Sequence, residues 1–99
     1  MQDLVISARL TVPASELQWF FCRSSGAGGQ NVNKVESAVR LTWSVTESDA
    51  LGPFHRQRLQ ECYLARLVNG CLVVSVSEER SQYLNRKIAL RRLAALIRE

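Results

Sequence analysis

The sequence has no apolar run near the roughly 20 residues that a membrane-spanning helix requires. Its first residues, Met1-Gln2-Asp3-Leu4, also lack the basic start and long apolar stretch of a secretory signal. We therefore expect a cytoplasmic protein that makes no contact with a membrane.

Cysteine and histidine are both scarce. The cysteines are Cys22, Cys62 and Cys71, and an odd number without a C-x-x-C spacing argues against a disulfide framework and a zinc site. Because apolar residues lie close to each of them, we expect small buried thiols. The only histidine, His55, lies among charged residues and is expected at the surface, so the sequence offers no Ser-His-Asp set. No metal or cofactor is expected.

Basic residues are unevenly distributed along this chain of net charge +4. Between Arg80 and Glu99 the only acidic residue is Glu99, whereas arginine and lysine recur throughout the segment. The planar guanidinium group of arginine can bind phosphate through two parallel hydrogen bonds, in bidentate geometry. A polyanionic partner is therefore plausible, although many solvated helix faces have a similar composition.

The pattern of apolar residues predicts one α+β domain over residues 1–99. Strands are predicted for residues 4–12, 17–22, 35–45 and 71–77, and the third of them alternates strictly between apolar and polar residues. One helix is expected to begin near Pro53, with Ser48 and Asp49 as candidate caps, and to end at Asn69-Gly70. A second helix follows Glu78-Glu79. The order β-β-β-α-β-α indicates a mostly antiparallel or mixed sheet with both helices packed on one face.

A polar segment rich in glycine, residues 23–34, lies between the second and third predicted strands. It carries three of the five glycines, which can adopt backbone conformations closed to other residues. A plain hairpin needs about two to five connecting residues, and this segment is much longer. Neither the Walker pattern nor the dinucleotide-binding pattern matches it. A long polar loop between two strands is more often functional than not.

The glycine-rich segment resembles a known catalytic loop. Gly28-Gly29-Gln30, preceded by Arg23-Ser24-Ser25-Gly26 and followed by Val32-Asn33-Lys34, is similar to the loop of peptide-chain release factors. It is more similar still to their single-domain relatives, the ribosome-rescue peptidyl-tRNA hydrolases. Arg80-Ser81-Gln82 with Asn85-Arg86 resembles the start of the last helix of that domain. The resemblance therefore covers nearly the whole chain.

This resemblance implies codon-independent hydrolysis of the peptidyl-tRNA ester on stalled ribosomes. It assigns catalysis to Gly28, Gly29 and Gln30, with the backbone N–H of Gln30 donating to the developing charge or to the 3′ oxygen. Ribosomal RNA at the peptidyl-transferase centre and the tRNA itself would supply most of the remaining machinery, and the protein would act as a monomer.

The resemblance and the charge pattern together give a set of expected RNA contacts: Arg23, Ser25, Lys34, Arg80, Arg86, Lys87 and Arg91. Gln82 and Asn85 are expected to brace the domain instead. Lys87, Arg91 and Arg98 are spaced by four and seven residues and should form one stripe on the last helix.

Two alternatives and one departure from the family remain. The protein could be a catalytically idle RNA-binding or ribosome-associated structural module, whereas a small-molecule esterase is disfavoured because no nucleophile–base pair is present. The rescue hydrolases have a long basic C-terminal tail, and none follows Arg98-Glu99 here. The tail could have been removed or could be naturally absent, and in either case we expect a well-folded domain with weak rescue activity.

Overall fold

The computed structural model describes residues 3–22 and 37–98 and confirms the α+β class. Within these two ranges five strands and two helices follow one another, with a short 3₁₀ turn at Ala14–Glu16 before the third strand. They are β1 Leu4–Ser7, β2 Leu10–Val12, β3 Leu17–Cys22, β4 Ala38–Ser44, α1 Pro53–Cys62, β5 Cys71–Val76 and α2 Gln82–Arg98.

The first predicted strand is in fact a hairpin, so the prediction of one extended segment over residues 4–12 was wrong. Strands β1 and β2 pair antiparallel, with Leu4 opposite Val12, and form a two-stranded sheet of their own. Ile6 and Leu10 are both buried and lie four positions apart in the sequence, which is an even spacing. The period-two pattern therefore continues across the turn, and it cannot distinguish one strand from two.

The three-stranded sheet has β4 at its centre and both neighbours antiparallel to it. The predicted alternation in β4 is confirmed: Val39, Leu41 and Trp43 are buried, whereas Arg40 between them is exposed. The part of that prediction that covers residues 35–36 lies outside the described residues. One face of this sheet therefore contributes to the core, and the other carries polar side chains.

Helix α2 covers the inner face of the sheet along β4 and β5 and also contacts β1. Its predicted apolar face is confirmed, because Leu93, Ala94 and Ile97 are buried and Leu90 and Leu96 pack partly buried against the core.

Helix α1 joins the same core through Leu59, which is fully buried. Near its end the Tyr63 hydroxyl donates a hydrogen bond of 2.7 Å to the Leu96 carbonyl. The end of α1 is thereby held against the last turns of α2.

The predicted ends of α1 need two corrections. Gly52, not Ser48 or Asp49, caps its N-terminus, while Pro53 occupies the first turn as expected. The helix ends at Cys62, earlier than predicted, since Asn69 and Gly70 do not cap it. Both have positive φ angles, 53° and 79°, and form the two-residue turn that leads into β5. Asn-Gly suits such a hairpin turn as well as a helix end, so the residue pair alone did not decide between them.

The cysteines are also placed differently from expectation. Cys22 and Cys62 are exposed and Cys71 is half-buried, so none is a buried thiol. Cys22 ends β3 on the outward side of the strand, next to the half-buried Phe21. Apolar neighbours in sequence therefore did not reveal which face each thiol occupies.

Ser48 contributes to a buried junction around Glu16. The Glu16 carboxylate accepts hydrogen bonds from the Trp43 indole N–H at 3.0 Å, from the Ser48 hydroxyl and from the Asp49 backbone N–H at 3.0 Å. Partial burial raises the pKa of this carboxyl, but the hydrogen bonds, with one from the Ala50 backbone, outweigh it and the pKa lies below the usual value. The junction ties the 3₁₀ turn before β3 to the segment between β4 and α1.

Replacing Glu16 with glutamine should lower the free energy of unfolding at pH 7 by about 1–2 kcal/mol, because the new amide group cannot accept from all three donors. A depressed folded-state pKa gives stability that is complete above the unfolded value of about 4.3 and is lost as the pH falls through the folded pKa. The difference from wild type should therefore shrink below about pH 4 in urea titrations. Glu47→Gln, at an exposed site, is the matched control. An equal effect of both substitutions would contradict the role of the junction.

Candidate functional site

The glycine-rich segment is connected to two paired strands. Cys22, the last residue of β3, pairs directly with Ala38, the first residue of β4. Both ends of segment 23–36 therefore meet the sheet at the same edge. The catalytic residues expected from sequence, Gly28, Gly29 and Gln30, lie outside the described residues, as do Arg23, Ser25 and Lys34, so their roles stay predictions.

Asn85 links this edge of the sheet to α2. Its side chain is fully buried, and its amide Nδ2 donates to the carbonyls of Ser37 at 2.8 Å and Glu79 at 2.9 Å. Its Oδ1 accepts from the Glu79 backbone N–H at 3.0 Å. Ser37 is the first described residue after segment 23–36, so Asn85 anchors one end of that segment. This arrangement agrees with the bracing role expected from sequence.

Two of the expected RNA-contacting residues lie near this anchor, at the start of α2. Arg80 precedes the helix and is exposed, whereas Arg86 is half-buried in its first turns. Gln82 is the first residue of the helix and is also half-buried. Arg80 is therefore well placed for a solvent-side ligand, and Arg86 presents only part of its side chain.

Lys87 and Arg91 lie further along α2 and are exposed. Together with Arg98 they line one shallow cleft of about 520 Å³ between α2 and β1. This confirms that the three cations share one side of the helix. The Lys87 ammonium also lies 4.9 Å from the centre of the Tyr83 ring, a cation–π contact that holds it at the helix surface.

Two other arginines are engaged by the fold. Arg92 forms an ion pair with Glu78, with a shortest distance of 2.6 Å, and this contact lowers the pKa of the Glu78 carboxyl. Arg56 donates to the backbone carbonyls of Val45, Ser48 and Leu51. The structure therefore separates arginines that hold the fold from those that are available to a ligand.

Sequence reasoning missed a second group of cations at the other end of α2. Arg9 in the β1–β2 turn and Arg58 in α1 line one cleft with Arg98. Nothing in their spacing along the chain indicates this, since three separate elements bring them together. His55 lines the same cleft and is half-buried, with Nε2 3.4 Å from the Ile97 carbonyl, so it is less exposed than expected.

The described residues contain neither a cluster that could bind a metal ion nor a helix that could span a membrane. Across residues 3–22 and 37–98 no group of three or more His, Cys, Asp or Glu side chains could hold a metal. In the same part of the chain, neither helix has the length and apolar character needed to cross a bilayer.

The sheet, the helix across it and the long insertion between β3 and β4 define an α+β domain with basic surfaces along one helix. The RF-1 domain model matches residues 6–99, and the chain therefore belongs to the RF-1 domain family.

Among its relatives, the chain is 41% identical over 95 residues to the peptidyl-tRNA hydrolase ArfB of Pseudomonas putida, covering 95% of this chain and 69% of that protein. It is 32% identical over 89 residues to a mouse protein named as a large ribosomal subunit protein, covering 89% of this chain and 43% of the relative. It is 38% identical over 82 residues to peptide chain release factor 1 of Parabacteroides distasonis, covering 83% and 18% respectively.

Proposed function

We propose that this protein hydrolyses the ester bond between a nascent peptide and tRNA on stalled ribosomes, without reading a codon. The observation that carries the proposal is the 41% identity to a peptidyl-tRNA hydrolase over 95% of the chain. The Gly28-Gly29-Gln30 motif in the same chain supports it. Its partners would be peptidyl-tRNA and ribosomal RNA at the peptidyl-transferase centre, and it would act as a monomer in the cytoplasm.

The geometry of the described residues is consistent with a catalytic segment held at one edge of the sheet. The pairing of Cys22 with Ala38 and the buried contact of Asn85 with Ser37 fix the described residues on either side of segment 23–36. In the proposed reaction the Gln30 backbone N–H would donate to the charge that develops during ester hydrolysis, and Gly28 and Gly29 would permit close approach to the tRNA end.

In the proposed mechanism no general base comes from this chain. Gly28, Gly29 and Gln30 carry no side chain that can take up a proton as a general base. The only histidine, His55, lies on α1, with its Nε2 3.4 Å from the Ile97 carbonyl near the end of α2. Water activation would therefore depend on the RNA groups of the ribosome and the tRNA.

A second candidate function is that of an RNA-binding structural module, which the similarity to a mouse large ribosomal subunit protein favours. The two functions differ in chemistry, because only the hydrolase cleaves an ester. The cleavage assay below separates them.

The test compares stalled ribosome complexes that carry labelled peptidyl-tRNA with the same peptidyl-tRNA free in solution. We expect release of the peptide from ribosomes and negligible hydrolysis of the free substrate, because the chain contains no complete acid–base set of its own. Equal hydrolysis of both substrates would contradict dependence on the ribosome. Ribosome binding by co-sedimentation without any release would instead support the structural module.

A further inference from the structure

A basic cleft lies at the end of the domain opposite to the edge that carries segment 23–36. The β1–β2 turn, the start of α1 and the end of α2 meet there and enclose about 530 Å³. Its charged side chains are Arg9, Arg58 and Arg98, and no Asp or Glu is among the described residues that line it. Three guanidinium groups with no carboxylate among the described lining residues create a positive potential that favours an anionic ligand.

The contacts of these arginines leave most of their donors available. The Arg98 Nε donates to the Ile6 carbonyl at 3.1 Å, which fixes its guanidinium group at the wall of the cleft. In residues 3–22 and 37–98, neither an ion pair nor a hydrogen bond engages the guanidinium group of Arg9 or Arg58, although the Arg9 backbone N–H donates to the Ser7 hydroxyl at 3.3 Å. This contrasts with Arg56, whose guanidinium group donates to three carbonyls. The contacts of the fold therefore account for Arg98 in part and do not account for the guanidinium groups of Arg9 and Arg58.

An exposed aromatic ring lines the same cleft. Phe54 is 88% exposed, the highest value among the large apolar side chains that the structure describes. A single exposed phenylalanine is unremarkable on its own. Beside three arginines, however, it completes the combination by which proteins hold unpaired nucleic acid, with a ring to stack a base and cations to bind phosphates.

We propose that this cleft binds one unpaired nucleotide of RNA, with its base stacked on Phe54 and its flanking phosphates held by Arg9, Arg58 and Arg98. The identification of that RNA as ribosomal rests on the proposed function. An acidic peptide or free phosphate would use the arginines but would gain little from the ring, so the exposed aromatic side chain favours a nucleotide.

The cleft also continues into the basic surface along α2. Arg98 lines both this cleft and the one that contains Arg91 and Lys87. Asp3 lines the α2 cleft as well, where its carboxylate accepts from the Ala14 backbone N–H at 2.7 Å. A phosphodiester backbone could therefore follow the three cations of α2 from Lys87 to Arg98 and enter the cleft there.

The direct test measures binding of a fluorescent single-stranded RNA of about eight nucleotides by anisotropy, within the usual site size for such proteins. Phe54→Ala should weaken binding roughly tenfold without changing its salt dependence, because stacking releases no counterions. Phe54→Trp should restore the affinity. Arg58→Gln should weaken binding and also reduce the slope of log affinity against log salt by about 0.7.

Matched controls lie in the chain just beyond α1. Leu64 is 75% exposed and Arg66 is exposed, and neither lines the cleft. Leu64→Ala and Arg66→Gln should both bind the RNA as the wild type does. Unchanged binding by Phe54→Ala, or equal losses in the control variants, would overturn the proposal. Binding of a polyglutamate peptide with the same affinity and the same dependence on Phe54 would also overturn it.

Peptide release from stalled ribosomes separates this inference from the proposed function. Phe54→Ala should raise the protein concentration needed for half-maximal release several-fold and leave the rate at saturation unchanged, as expected for lost binding. If the wild type releases peptide and no cleft variant changes that release, the role of the cleft on the ribosome is overturned, whereas the proposed function stands. Absence of release by the wild type would overturn the proposed function. The RNA-binding measurements would still show whether the cleft binds an unpaired nucleotide.

Discussion

Replacing Gly29 with alanine is expected to lower the rate of peptide release from stalled ribosomes by about 100-fold or more at saturating protein concentration. The added methyl group restricts the backbone and obstructs close approach of the segment to the tRNA end. Removal of one oxyanion-hole donor in other enzymes lowers kcat by about 100-fold to 1,000-fold. Single-turnover release of a labelled peptide measures the rate directly.

Gln30→Ala provides the informative comparison, because it removes the side-chain amide and keeps the backbone N–H. Its rate should fall less than that of Gly29→Ala. Thermal unfolding and ribosome co-sedimentation should be close to wild type for both variants, since neither substitution changes a residue of the described core, which extends from Leu4 to Ile97. Release by Gly29→Ala at the wild-type rate would show that the catalytic assignment is wrong.

The parts of the fold that sequence predicted correctly are those with long, uninterrupted periodicity. Strand β4 alternates from Val39 to Ser44, and the apolar residues of α2 recur over a helix of seventeen residues. Over such lengths only one face can be buried, so the buried residues Leu41, Trp43, Leu93 and Ile97 follow directly from the pattern.

The predictions that were wrong depended on local sequence signals that are equally compatible with two different structures. Ser48 is a good helix cap in isolation, but Glu16 lies more than thirty residues earlier and recruits its hydroxyl. Asn69-Gly70 can end a helix or form a hairpin turn, and the pairing of Val68 with Cys71 selects the turn. For Ser48 the deciding contact comes from a residue far away in the sequence, which no window of neighbouring residues contains. For Asn69-Gly70 the deciding contact is local, but the two residue types alone do not select it.

The same distinction applies to the candidate site. The stripe of Lys87, Arg91 and Arg98 follows from helical spacing alone, and one cleft contains all three. By contrast, Arg9 and Arg58 meet Arg98 only because the β1–β2 hairpin and α1 both pack near the end of α2. Residues 4–12 were predicted as one strand, so the turn between β1 and β2 that carries Arg9 was not expected from the sequence.

Asn85→Asp is expected to lower the free energy of unfolding by about 3 kcal/mol at pH 7.5, because it replaces a buried donor group with an acceptor of the same shape. In the native protein the amide donates to the carbonyls of Ser37 and Glu79. A carboxylate there would face both carbonyl oxygens in a site that is fully buried. Urea denaturation followed by tryptophan fluorescence measures the loss.

Lowering the pH distinguishes the burial of a charged carboxylate at position 85 from a general loss of packing. Burial and the facing carbonyls raise the folded-state pKa of the introduced aspartate, so its neutral form, which can donate one hydrogen bond, should already predominate near about pH 5.5. A raised folded pKa gives stability that is present at low pH and lost as the pH rises. The gap between Asn85→Asp and wild type should therefore narrow as the pH falls from about 7.5 to 5.5.

The neighbouring control is Leu84→Ala, because Leu84 is 44% exposed and precedes Asn85 on the same turn. We expect it to change the free energy of unfolding by less than about 1 kcal/mol at either pH. Since Ser37 directly follows segment 23–36, Asn85→Asp should also slow peptide release under conditions where the variant remains folded. Wild-type release together with a pH-independent loss of stability would mean that Asn85 only fills space, and that its contact with Ser37 does not position the catalytic segment.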